Sequence, residues 1–164
     1  MARKTHPVIE GLFHFDGRFR RSEYWIASIG LGVVRFVVLI VIGAAMGKGM
    51  AEASTYMPLR LGLTALFLWP SAAIAIKRGH DRNRPAWWTL TVMGALYALG
   101  EVSTAFSAAG NVMMGGVFGL LIIPIGLYMF IDYGLIDGTK GPNRYGASPK
   151  GHGGRGDDVA NTFD

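Results

Sequence analysis

The apolar residues of this chain fall in blocks of eighteen or more instead of alternating with polar ones, and that constrains the fold more than any single motif. A helix needs about 20 mostly apolar residues to cross about 30 Å of hydrocarbon. Four segments meet that length, at 24–47, 59–76, 87–106 and 113–136. Only 16% of the 164 residues are charged and 51% are apolar, whereas a soluble domain carries about a quarter charged. An ordinary cytosolic enzyme and a disordered chain are therefore excluded. With no cysteine, disulfides, thiolate metal sites and cysteine nucleophiles are excluded too. The pattern predicts an all-α bundle of four transmembrane helices, preceded by an N-terminal interfacial segment.

Two spans carry a full charge, so insertion has to be weighed. A central Arg costs about 2.5–3.5 kcal/mol, and each Leu, Ile, Val or Phe returns about 0.3–0.6. The first span has twelve such residues, which outweigh Arg35. The third has only six against Glu101, so it is marginal alone and is expected to insert as a hairpin with the fourth.

Orientation follows from Lys and Arg outside the spans. Five precede the first span, four separate the second from the third, and four follow the fourth; two lie between the first and second and none between the third and fourth. Both termini are thus expected in the cytoplasm of a multi-pass protein of the bacterial inner membrane. Tyr24, Trp25, Trp87, Trp88 and Tyr133 fall at the predicted cytoplasmic ends, where amphipathic rings favour the headgroup layer. The first apolar run is too long for a signal-peptide core, so it is expected to be retained. Residues 1–146 form a single predicted membrane domain, and 147–164, Gly-rich and polar, a disordered tail.

Three segments on the predicted cytoplasmic face carry most of the chemistry. In the first, Gly17 permits a turn, and a helix starting after it would place Arg18, Arg21 and Trp25 on one face. It reads either as an interfacial anchor, with Phe13, Phe15 and Phe19 dipping toward lipid, or as a phosphate or carboxylate site. The second, 77–85, is a tight basic turn containing Arg78, His80 and Asp81. It reads as a positive-inside stop, or with His80 and Asp81 as acid–base groups. The third, 137–146, is dense in Gly, Pro and Asn, and so demands a specific turn. It reads as a structural cap or as a backbone contribution to a shared polar site. No metal or other cofactor is expected, because a His-Asp pair is too few ligands and the only nearby additions are Asp132 and Asp137 at the inner end of the fourth span.

These segments resemble a known family, the bacterial inner-membrane proteins of domain-of-unknown-function family 805, the YhaH-like proteins. Gly17, Arg18, Arg21, Tyr24 and Trp25 match its early Gly-Arg-x-x-Arg-x-x-Tyr-Trp. Trp69, Pro70, Arg78, His80, Asp81 and Trp87 or Trp88 match its Trp-Pro and Arg-Leu-His-Asp turn. Gly138, Gly141, Asn143, Tyr145 and Gly146 match its closing Gly-x-x-Gly-x-Asn-x-[Tyr/Phe]-Gly. Gly79 stands where the family usually has Leu. The resemblance implies an integral membrane protein and brings no established activity or cofactor.

A compact bundle would bring Arg18, Arg21, Trp25, Arg78, His80, Asp81, Asn143 and Tyr145 into one cytoplasmic polar cluster. Within the bilayer, Arg35 and Glu101 lie at depths about 5 Å apart and are expected to pair; Glu101 snorkelling outward, or serving a proton path, are the alternatives. Gly43-x-x-x-Gly47 and Gly115-x-x-x-Gly119 are expected to serve internal helix packing. Trp69, deep in the second span, needs an acceptor for its indole N–H. The favoured reading is a non-enzymatic module that binds membrane lipids through anionic headgroups, or a protein partner or second copy. A small transporter or channel-like subunit using Arg35 and Glu101 is the second reading. A membrane-embedded enzyme acting on a lipid or phosphate-bearing substrate is the third. Nucleic acid is not an expected partner, because no basic helix is free to enter a groove.

Overall fold

The computed structural model describes residues 13–151, and these are helical with no strand. The helices are α1 (Arg21–Ala45), α2 (Met50–Thr55), α3 (Met57–Asp81), α4 (Ala86–Ala108) and α5 (Val112–Met129), the last continuing into a π-helical turn, Phe130–Leu135. Arg3, Lys4 and residues 152–164 of the expected tail lie outside the described residues.

Local chemistry sets the boundaries. Glu23 accepts from the Arg20 backbone N–H at 3.0 Å and starts α1, and the Asn111 side chain accepts from Met114 N–H at 3.1 Å and starts α5. Helices α1, α3 and α4 all end the same way. A left-handed residue (Gly47, Asn83 or Gly110) follows the last turn, and its N–H and that of the next residue bond back to the helix carbonyls. Asn83, at φ 58°, shows that the motif does not require glycine.

Helix α3 is the axis of the bundle. It packs on α1 and α4, while α4 and α5 form a tight antiparallel hairpin. Phe106 stacks on Phe118 at 5.5 Å, and Ser103 Oγ donates to Gly115 O at 2.7 Å. A Cβ on Gly115 would lie 2.1 Å from Ser107 Oγ, so its small size permits the hairpin to close. Gly43 serves α1 similarly, against Ala53 of α2.

Length and composition identify α1, α3 and Val112–Leu135 as helices able to cross a membrane. The third expected span exists as α4, 23 residues long, but is not among them: Thr89, Thr91, Glu101, Ser103, Thr104 and Ser107 dilute its apolar character.

Two expectations about boundaries are corrected. Lys77 to Asp81 is not a turn but the last turn of α3, and all ten residues from Ala72 to Asp81 are buried. The helix continues past Ile76 because its polar end is enclosed by protein, with Arg78 and Asp81 paired at i, i+3. Arg18 does not share a helix face with Arg21 and Trp25, since α1 begins at Arg21 and Arg18 lies in the extended segment before it.

Candidate functional site

One end of the bundle, formed by the start of α1, the ends of α3 and the π-helical turn, and residues 137–146, is built almost wholly from polar contacts. At its centre Asp81 lies between two guanidinium groups. Arg18 donates to Asp81 Oδ1 through Nε at 3.1 Å and Nη2 at 2.9 Å, and Arg78 Nη1 donates to Asp81 Oδ2. All three side chains are buried, with Arg78 fully so. Buried charges persist only when paired and hydrogen-bonded, and two cations against one carboxylate leave a surplus positive charge.

Helix-end carbonyls meet that surplus. The last carbonyls of a helix lack intrahelical donors and carry partial negative charge. Here five consecutive carbonyls, the last three of the helix and the two that follow it, are each taken by a side chain from another element. Tyr133 O accepts from Arg78 Nε at 2.5 Å and Gly134 O from Trp25 Nε1 at 3.1 Å. Leu135 O accepts from Arg21 Nη1 at 2.8 Å, Ile136 O from Arg78 Nη2 at 2.6 Å, and Asp137 O from Arg82 Nη1 at 2.5 Å. The π-helical turn widens the backbone where this occurs.

Residues beyond it wrap onto the same centre. Arg18 also donates to Thr139 O (2.8 Å), Gly141 O (2.9 Å) and Gly146 O (3.2 Å). Thr139 N–H donates to Asp81 O at 2.8 Å, and Asn143 Nδ2 bridges His80 O and Thr139 Oγ1, both at 2.9 Å. A Cβ on Gly138 would stand 1.9 Å from Asp81 Oδ2 and one on Gly134 2.7 Å from the Trp25 ring, which explains both glycines by close approach. Tyr145 stacks on His80 with centroids 3.7 Å apart, and His80 Nδ1 faces Gly17 O at 3.2 Å.

The structure thus brings Arg18, Arg21, Trp25, Arg78, His80, Asp81, Asn143 and Tyr145 to the same end of the bundle. Further side chains join this end beyond the expected cluster. Arg82 pairs with Asp132 at 2.9 Å, Tyr128 OH donates to the same carboxylate at 3.3 Å, and Trp88 Nε1 donates to Tyr128 OH at 2.9 Å. Thr89 hydrogen-bonds to Tyr133 OH at 2.9 Å, both fully buried, and a Cβ on Gly79 would strike Thr89 Oγ1 at 2.4 Å. Gly79 therefore fits this chain's own packing. Asp132 was visible as a charge at the end of an apolar run, but Thr89 and Thr139 carried no signal apart from being polar.

At the rim, Asp137 is exposed and bonded to Lys150 Nζ at 2.6 Å and Arg21 Nε at 2.9 Å. The Lys150 hydrogen bond, with Arg21 adding to it, holds its carboxyl below the usual range. Among the described residues no three His, Asp or Glu side chains converge as metal ligands would.

The expected Arg35–Glu101 pair does not form. Glu101 pairs with Arg60 at 2.7 Å, and Arg35 Nη2 donates to Thr64 Oγ1 at 3.1 Å. Arg60 lies inside the first turn of α3, one turn before Thr64, not in the connecting loop, and it reaches Glu101 directly. Trp69 finds its acceptor in Phe13 O, at 3.4 Å, with Phe15 packed on its ring at 4.6 Å. Residues 13–17 therefore lie along α3.

Comparison with known proteins adds a family. The family described as Protein of unknown function (DUF805) matches residues 12–147. The uncharacterized protein YiiR of Escherichia coli strain K12 is 33% identical over 139 residues, covering 85% of this chain and 88% of its own. The inner membrane proteins YhaH and YhaI of the same strain are 26% and 28% identical over 144 residues, 87% of this chain and 93% and 92% of theirs. No solved structure matches.

Proposed function

This chain belongs to the DUF805 family of proteins of unknown function, and on that footing we propose that it is a four-span inner-membrane protein with both termini cytoplasmic. Its polar end acts as a non-enzymatic module for anionic lipid headgroups. Two relatives carry the name inner membrane protein. The fourth span is α4: 23 residues rise about 34 Å, enough to cross, and its polar groups have partners, Glu101 on Arg60, Ser103 on Gly115 O, and Thr91, Thr104 and Ser107 on carbonyls of α4 itself. The Lys and Arg asymmetry favours placing the polar end in the cytoplasm.

One observation carries the binding reading. Arg18, Arg78 and Asp81 are buried and spend their hydrogen bonds on one another and on the backbone, so they shape this end without meeting a ligand. Arg20, Lys140 and Arg144, held around that centre, are exposed and basic. Such cations near a membrane surface attract anionic headgroups at about 1 kcal/mol each.

Native mass spectrometry in mild detergent tests this with added phosphatidylglycerol. The combined variant Arg20→Gln, Lys140→Gln, Arg144→Gln should lose bound lipid while its melting temperature stays within a few degrees of wild type. Unchanged lipid occupancy would contradict the reading.

A further inference from the structure

At the level of Arg35 the bundle holds a cavity of about 500 Å³, partly open to the surroundings. Its walls come from α1, α3, α4 and α5 and are mainly apolar, including Phe67, Met93 and Leu96, with Ser28 and Ser71 among them. Along α1 it runs from Tyr24 to Arg35, about 16 Å at 1.5 Å per residue, which is close to half of a 30 Å hydrocarbon core.

The charges at this depth do not balance. Arg35 bonds Thr64, one helical turn along α3 from Arg60, and Glu101 is taken by Arg60. Lys48 and Glu52, at the far end, pair with each other. Among the described residues Arg35 has no carboxylate partner, and of its five N–H donors one hydrogen bond is made, to Thr64. A guanidinium held in apolar surroundings is costly until an anion joins it.

We infer that this cavity binds a single-chain anionic amphiphile, a long-chain fatty acid, with its carboxylate on Arg35 and its chain along the cavity toward Tyr24. The length suits one acyl chain, the walls suit its methylenes, and the missing counter-charge selects an anion over an ester or alcohol. A planar guanidinium with free N–H groups suits a carboxylate in two-pronged contact. This site is separate from the headgroup-binding rim and does not depend on it.

Fluorescence titration of the delipidated full chain in mild detergent with cis-parinaric acid and its methyl ester tests the inference. The acid should bind saturably and the ester at least tenfold more weakly. Arg35→Gln should reduce acid affinity to that of the ester, Leu96→Trp should weaken both probes by filling the cavity, and unlabelled oleate should displace the acid. The Arg20, Lys140, Arg144 variant should bind the acid as wild type does. If Arg35→Gln fails to melt cooperatively, Arg35→Lys, which keeps the charge but loses the fork, is expected to weaken the acid relative to the ester. Equal binding of acid and ester, undiminished binding by Arg35→Gln or by Leu96→Trp, or displacement by phosphatidylglycerol but not oleate would overturn it. Loss of acid binding in the rim variant would overturn it as well.

Discussion

The two ends of α3 face opposite physical problems. From Ala72 to Asp81 the helix is buried on all sides, and Arg78 and Asp81 are tied to named partners. Toward Met57 it meets fewer neighbours: Arg35 makes one hydrogen bond and buried Arg60 Nε makes none among the described residues. Alongside it, α1 buries only Ala27 and Gly43 of its 25 residues. Since lipid tails are as apolar as Leu, a bundle in a membrane gains little by hiding Val and Ile from them. Directional bonds at one end can therefore fix the architecture while the other end stays loosely joined and leaves room for a cavity.

That contrast can be broken most severely at Asp81. Removing it in Asp81→Ala leaves Arg18 and Arg78 buried without a counter-charge, a loss of about 3–5 kcal/mol. Thermal unfolding in mild detergent should show it as a large drop in melting temperature or as loss of folded protein. Next comes Gly138→Ala, whose added methyl would collide with the Asp81 carboxylate and should cost about 1–3 kcal/mol in the same assay.

The looser end should respond less. Glu101→Gln removes the partner of Arg60 and should cost about 1–2 kcal/mol, whereas Arg35→Gln, which breaks no ion pair, should cost less than that in the delipidated protein. If Arg35→Gln proved the more damaging of the two, the charge balance drawn for this end would be wrong. The smallest effect belongs to Asp137. Its folded pKa is lowered, so its stabilisation is present above its unfolded value of about 3.9 and is lost as pH falls through the folded value. Because the group is exposed, the wild type and Asp137→Asn should differ slightly at pH 7, and the difference should start to fade only as pH falls below about 4.

The legibility of the fold followed the same division. Hydropathy placed α1, α4 and α5 with its π-helical turn to within three residues at each end, because spanning length is a property of local composition. It stopped α3 at Ile76, because no window average registers that Lys77, Arg78 and Asp81 are enclosed by residues sixty positions away. The π-helical turn and its five claimed carbonyls were invisible for a related reason: a backbone acceptor has no letter in the sequence. Charge pairing by depth alone chose Arg35 for Glu101, whereas the geometry of α3 and α4 supplied Arg60. The three motif segments could be placed at one end from topology, but Thr139, which joins Arg18, Asp81 and Asn143, looked like any other loop threonine.

The central claim is that the segments around Arg18, Asp81 and Asn143 are one physical unit. A mutant cycle on Arg18→Ala, Asp81→Ala and Asn143→Ala, read by unfolding in mild detergent, measures this directly. The account predicts that each pair is non-additive by about 1 kcal/mol or more, since Arg18 bonds both the Asp81 carboxylate and Thr139 Oγ1, and Asn143 bonds that same Thr139 oxygen. Additivity within about 0.5 kcal/mol for all three pairs would mean that three separate anchors merely sit side by side.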